Sequence, residues 1–355
     1  MRRLATVVAI LMTIVLVAVG ALYAVGRVAD VGPFAPGVPT SWLFVAISRN
    51  GEDGDSREIE VLDLATGERP PLITTDDRVF ELALTHDRRT LLVGTSNGRI
   101  FEYDALHGVF LDEIKLSTNG DVRRIVVLPD NRQVVAVSTA AAEAIVSLVD
   151  VGARRETATL GLGNRLIGRS VAGKDVLLAA SDRTSVEQVL GLGLDPLVVR
   201  SATVITPIGP PTSPRTAGPA LELTKDGSIV ALSPVGLRLL VLPLNSSDRI
   251  GTDIPVSFRP IQLVPGFDGD LILSADSSTI HFCIGTSQRA ERYVATRERL
   301  LPQRVGTDCG RFGRIGDGRI YLAVRAAPEL REIDPASGAM IRTLALAGFP
   351  QRVAY

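Results

Sequence analysis

Lysine, tryptophan and histidine are scarce in this 355-residue chain. Of 38 basic residues only Lys115, Lys174 and Lys225 are lysines, and there are one Trp, three His, two Cys and 5% aromatic residues. A net charge of −1 leaves no excess of basic residues for a broad nucleic-acid-binding surface, so that class of partner is excluded. The cysteines and histidines form no CxxC or other local metal-ligand spacing. No glycine-rich phosphate loop stands before a helix, because stretches at helical spacing are almost missing. What remains is a chain rich in Val, Ile, Leu, Gly and Arg whose core must be aliphatic.

The first feature present is an uncharged run from Leu4 to Gly26, preceded by Arg2 and Arg3. About 20 apolar residues span a bilayer, whereas the apolar part of a cleaved leader is usually about 7–15 residues long. Residues 4–26 are therefore expected to be a transmembrane anchor. A signal peptide is the alternative, with small residues at Ala18-Val19-Gly20 and Ala24-Val25-Gly26. The arginines ahead of the run place residues 1–3 in the cytoplasm and the rest outside it. Residues 27–40 read as a Pro/Gly linker and 41–355 as the extracytoplasmic part. In that compartment Cys283 and Cys309 would have the option of pairing as a disulfide or remaining buried thiols.

From Ser41 onward, short Val/Ile/Leu runs alternate with Asp, Gly, Asn and Pro, which predicts an all-β chain. "FELALTHDRRTLLVGTSNGRIFEYDALHG" spells one unit: a strand, a turn at His86-Asp87, a strand, a turn at Asn97-Gly98 and a third strand ending at Asp104 and Gly108. With the Asp of the first turn as a ruler, units recur at Asp87, Asp130, Asp175, Asp226, Asp268 and Asp317, at intervals of 43, 45, 51, 42 and 49 residues. Periods in the forties with four strands each predict propeller blades. Two fragments are left over: "SWLFVAISRNGEDGDSREIEVLDLATGE", which lacks a first strand, and "FPQRVAY", which is a lone strand. Together they complete a seventh blade and remove the open edges of the array.

"IEVLDLATGE" and "IYLAVRAAPELREIDPASGAM" carry an Asp-x-x-Thr/Ser-Gly turn after the third strand. The pattern resembles the YVTN and quinoprotein-like bacterial propeller repeats, a resemblance that implies the fold. The WD40-like type fits less well, since Trp42 is the only Trp and no Trp-Asp dipeptide ends a strand. The Trp that follows the Thr-Gly in quinone-binding relatives is missing, so no cofactor is expected.

Most polar features read as shape. The turn Asp and Gly residues set backbone geometry. His86 and His107 fall in turns and His281 in a strand, without the constellation of a hydrolase triad. "GEDGDSRE" gathers Glu52, Asp53 and Asp55 but lacks a complete Ca²⁺ loop, so it reads as a hairpin tip. "GLGNRLIGRS" and "GLGLDPL" read as bends, and "PIGPPTSPRTAGP" as an inserted Pro-rich loop open to a partner.

One column stands apart. Six residues before each ruler lie Glu81, Arg124, Arg169, Ala220, Gln262 and Arg311, and Arg352 matches from the lone final strand. Equivalent positions on innermost strands ring the channel of a propeller, and several guanidinium groups there would grip a carboxylate or phosphate. The alternatives are that these side chains turn away from the channel, pair with carboxylates such as Glu81, or bond strand ends. The overall expectation is binding by a membrane-anchored scaffold or accessory subunit of a cell-envelope complex with a protein partner; the alternatives are a binder of small anions or sugar acids and an enzyme of the lactonase or glycosidase sort.

Overall fold

The computed structural model describes residues 37–51, 55–141, 143–168, 170–173, 175–182, 186–205, 219–233, 237–243, 250–255, 270–285 and 290–355. Its strands form seven antiparallel sheets, and all but one contain four strands. Numbered along the chain, blade 1 spans Val79–Lys115, blade 2 Asp121–Gly161, blade 3 Arg165–Val204, blade 4 Ala220–Asp253, blade 5 Asp270–Gly306 and blade 6 Gly310–Ala345. Blade 7 is a closure: Phe349–Ala354 is its inner strand, followed by Trp42–Ser48, Glu58–Asp63 and Ile73–Thr74. The two leftover fragments of the repeat thus meet in one sheet, and the chain is a seven-bladed β-propeller.

The continuous apolar runs follow from the packing. Side chains alternate across a strand, and in a propeller both faces of each sheet are covered by neighbouring blades. Phe44, Ala46, Ile59 and Val61 of blade 7 pack on Val79, Leu91 and Val93 of blade 1. Their alternates Leu43, Val45, Ile47 and Leu62 pack on Tyr321, Ala323 and Leu330 of blade 6. The same arrangement fills the other five blade interfaces. Each fully buried Leu, Ile or Val stabilises by about 1.5–3 kcal/mol, so the core is a ring of seven seams rather than one centre.

The recurring turns carry the shape expected of them. The carbonyls of Asp63, Asp104 and Asp334 accept the amides of Gly67, Gly108 and Gly338. Their carboxylates accept the amides of Ala65, His107 and Ser337. All three glycines have positive φ, between 65° and 78°, which a side chain at these positions would disfavour. In blade 2 the equivalent of that glycine is Arg154, held at φ 53° after Asp150.

Two expectations need correction. Gly191 and Gly193 lie inside the strand Glu187–Leu194 rather than in a bend; a Cβ at Gly191 would come within 2.4 Å of the Ser201 hydroxyl of the neighbouring strand. The second correction concerns the ruler of blade 5. Its inner strand is Asp270–Leu273 and its first turn is Ser274–Ser278, so the ruler residue is Asp276 and not Asp268. Ser274 donates to Asp276 at 2.6 Å, as Thr85 does to Asp87 at 2.7 Å and Thr224 to Asp226.

No helix among the described residues is long and apolar enough to cross a membrane. Residues 4–26, most of the Pro-rich loop, and Glu52 and Asp53 lie outside the described residues. Asp55 pairs with Arg78 at 3.2 Å, beside the turn between the second and third strands of blade 7.

Candidate functional site in the central channel

The corrected ruler moves the column in blade 5 by eight residues, from Gln262 to Asp270. Strand register then fixes the whole set. Glu81 faces Gly94, Arg124 faces Val137, Ala220 faces Leu232, Asp270 faces Cys283, Arg311 faces Ala323 and Arg352 faces Ala46. Each partner belongs to the second strand of its blade, so these residues share one level of the innermost strands. Arg169 and Gln262 lie outside the described residues.

A cavity of about 360 Å³ opens at this level. Glu81, Arg124, Arg311 and Arg352 line it, as the column predicts, and Asp270 joins them. Blade 4 contributes Glu222 instead of Ala220, two residues further along the same face of its strand. Around the axis the order is Arg352, Glu81, Arg124, blade 3, Glu222, Asp270 and Arg311. Blade 3 presents Ser170 and Val171. His86 also lines the cavity, with Nε2 3.3 Å from the Val127 carbonyl, so it is not simply a solvated turn residue.

The arginines reach the channel in a specific way. In blades 7, 1 and 2 a bulge precedes the column residue, leaving Gln351, Phe80 and Arg123 without a register partner. A bulge turns a carbonyl away from the ladder and leaves it in need of a donor. Arg352 donates to the Gln351 carbonyl of its own bulge at 2.8 Å and, through Nε, to the Phe80 carbonyl of the next blade at 2.5 Å. Arg124 repeats the motif, donating to Arg123 O at 2.6 Å and through Nε to Gly168 O of blade 3 at 2.8 Å. It also forms an ion pair with Glu81 at 3.1 Å. Pairing with Glu81 and bonding to strand carbonyls, two of the alternatives to an open ring, are therefore both present.

The electrostatics are those of crowded cations. Burial pushes the Arg124 guanidinium down to about 10; Glu81 opposes the shift, and Arg311 and Arg123 add to it. Burial likewise holds Arg352 well below the usual arginine range, with Arg311, Arg124 and Arg123 acting in the same direction and Glu81 alone against it. A bound anion would relieve that repulsion. Across the ring, Asp270 accepts the Phe312 amide at 2.6 Å and so ties blade 5 to blade 6.

The remaining candidates lie away from the channel or serve the fold. His107 Nδ1 is 2.9 Å from Asp104. His281 is fully buried, donates through Nε2 to Pro335 O at 2.8 Å, and is pushed down to about 4 by that burial. Cys283 and Cys309 are buried, unbonded thiols. No group of three His, Cys, Asp or Glu suited to a metal ion occurs among the described residues.

Asp270 and Glu222 are the channel residues that counting along the sequence missed. The signal for Asp270 was present: "LALTHDRRTLLV", "LELTKDGSIVAL" and "LILSADSSTIHF" align with Thr or Ser two places before the ruler Asp. Glu222 carries no such mark.

No family model and no curated protein matches the sequence. Solved structures do match. A periplasmic gluconolactonase of Pseudomonas aeruginosa aligns at 17% identity over 88% of this chain and 98% of its own, with a TM-score of 0.62. A putative 6-phosphogluconolactonase of Bacteroides fragilis aligns at 12% over 88% and 96%, TM-score 0.63. The protein AztD of Citrobacter koseri aligns at 12% over 88% and 97%, TM-score 0.55. These likenesses show the fold: the chain is a seven-bladed β-propeller whose structural neighbours include lactonase-like propellers.

Proposed function

We propose that this chain is an extracytoplasmic binding propeller, anchored by residues 4–26, whose central channel holds a small anion of the carboxylate or sugar-acid class. The observation that carries the reading is the grouping of Arg124, Arg311 and Arg352 at one cavity of about 360 Å³, close enough that Arg311 disfavours the charge of both Arg124 and Arg352. Glu81 is engaged by Arg124 and Asp270 by the Phe312 amide, which supports binding ahead of turnover. A lactonase-like activity, that named for two of the structural neighbours, is compatible with a channel that also contains Glu222 and His86.

A second reading, a protein-interaction scaffold or accessory subunit of a cell-envelope complex, is supported by the outer strand of blade 3. Leu197–Val204 is an eight-residue edge strand that exposes Val198, Val199 and Val204, an invitation to strand addition.

The test is thermal unfolding of the detergent-solubilised full chain with gluconate, citrate or phosphate, against glucose and choline. Anions at 100 times their Kd should add about 2.7 kcal/mol of stability, and the neutral sugar and the cation none. Equal responses to all five would remove the anion reading. Retention of a defined envelope protein on the wild-type chain, lost on Val199→Lys, would support the scaffold.

A further inference from the structure

Cys283 lies in the second strand of blade 5, Thr279–Gly285, directly opposite Asp270 of the channel. Cys309 immediately precedes Gly310, where the inner strand of blade 6 begins and runs on to Arg311. The two are 0% and 5% exposed and share one apolar seam with Phe312, Ile320 and Leu322. Their contacts are reciprocal. The Cys283 thiol reaches the carbonyl of Asp308 at 3.9 Å, the residue before Cys309. The Cys309 thiol reaches the carbonyl of Ile284 at 3.8 Å, the residue after Cys283. Each sulfur therefore lies against the backbone next to the other cysteine, and the Cys309 thiol also reaches the Glu291 carbonyl at 3.1 Å.

The surroundings hold this geometry. Asp308 accepts from Arg292 at 3.4 Å and from Arg331 at 2.9 Å, which fixes the backbone next to Cys309. Arg292 is itself the register partner of Cys283 on its other side. Both cysteines are thus held by one cluster spanning the seam between blades 5 and 6.

We infer that Cys283 and Cys309 are a cystine site: in the mature extracytoplasmic protein they are joined by a disulfide that staples blade 5 to blade 6 behind the Asp270–Arg311 side of the channel. The chemistry is thiol–disulfide exchange with a protein disulfide donor. The thiolate of one cysteine attacks the donor disulfide, forming a mixed disulfide and releasing one donor thiol. The second cysteine, having lost its proton, attacks the mixed disulfide, the Cys283–Cys309 bond forms and the other donor thiol leaves. Two electrons pass to the donor, which ends as a dithiol. Because both sulfurs are buried in the folded seam, the exchange precedes docking of blade 6 on blade 5. This inference is independent of the anion reading and shares with it only the extracytoplasmic address.

The experiment is intact-mass analysis of the full chain taken from native membranes, denatured in iodoacetamide with and without prior reduction. In parallel, the purified full chain is reduced and unfolded, refolded in a glutathione redox buffer and treated identically. The expected result is no alkylation before reduction and two adducts after it, in both samples. Reduction should also lower the melting temperature by roughly 5–10 °C in the wild type and leave Cys283→Ala/Cys309→Ala unchanged. Two adducts without reduction in both samples would overturn the inference. Free thiols in the membrane sample alone, with closure in glutathione, would uphold the pairing and overturn the address.

Discussion

The inner strands of blades 7, 1 and 2 differ from that of blade 6 by one extra residue each. In the first group a bulge precedes Arg352, Glu81 and Arg124. In blade 6 the strand runs in unbroken register from Gly310 through Arg311, and the ladders of blades 4 and 5 are regular from Ala220 and Asp270 onward. The extra residue leaves a strand carbonyl turned out of the ladder, and the arginine beside it satisfies that carbonyl and one from the next blade. The same ring level thus contains cations fixed by the backbone on one side and a cation on a regular strand on the other. The bulge thus gives Arg124 and Arg352 a structural task in addition to the charge they bring to the cavity.

That contrast has consequences of graded size. Arg124→Met should be the most damaging change, because it strands the half-buried Glu81 carboxylate and the carbonyls of Arg123 and Gly168; the expected loss is about 3 kcal/mol in urea unfolding. Adding Glu81→Gln should recover a good part of it, giving a coupling of about 1–3 kcal/mol in a double-mutant cycle. Additive losses would show that the ion pair is not what the bulged strands depend on. Arg311→Gln, on a regular strand, should cost about 1 kcal/mol or less while removing the response to anions. If Arg311→Gln destabilised as much as Arg124→Met, the distinction between the two groups would fail.

Two smaller predictions sharpen the same comparison. Asp276→Ala removes the acceptor of the Ser274 and Ser278 donors and should lower the urea midpoint. An unchanged midpoint would show that this turn does not depend on Asp276. Glu102 supplies the pH test. Unlike Glu81, its nearest guanidinium, that of Arg154, is 3.8 Å away. Burial raises its carboxyl from 4.5 to about 7, against the pull of Arg154 and with a push from Asp112. The folded state therefore retains this proton more tightly than the unfolded state. Its contribution is fully present below pH 4.5 and is lost as pH rises to about 7. Glu102→Gln should flatten that part of the stability profile; an unchanged slope would assign it to other groups.

Most of the fold was legible because its determinants are local and repeated. The Asp-x-x-Thr/Ser-Gly turns at Asp63 and Asp334 announce strand ends, and the aliphatic runs reflect sheets covered on both faces. Closure was legible by subtraction, as two fragments that fit no blade alone. The column was partly legible for a physical reason: the bulges lie before Glu81 and Arg124, so counting back from the turn reaches these residues before the extra one intervenes. Blade 5 was misread because "GFDGD" offers an Asp-Gly turn eight residues before the real one at Ser274–Ser278. The arginine bonds to Phe80 and Gly168 were not legible at all. They join residues 272 and 44 positions apart, and bulge carbonyls have no sequence code.

The central claim, that the arginines at this cavity serve a small anion, is tested most directly by calorimetric titration of gluconate and phosphate into wild type and Arg311→Gln at low and high salt. The account predicts saturable 1:1 binding of at least one anion to wild type, weakened about tenfold or more by Arg311→Gln with the fold intact. Binding that is equal in both proteins, or no saturable binding to either, would contradict it and leave the channel arginines as staples of the ring.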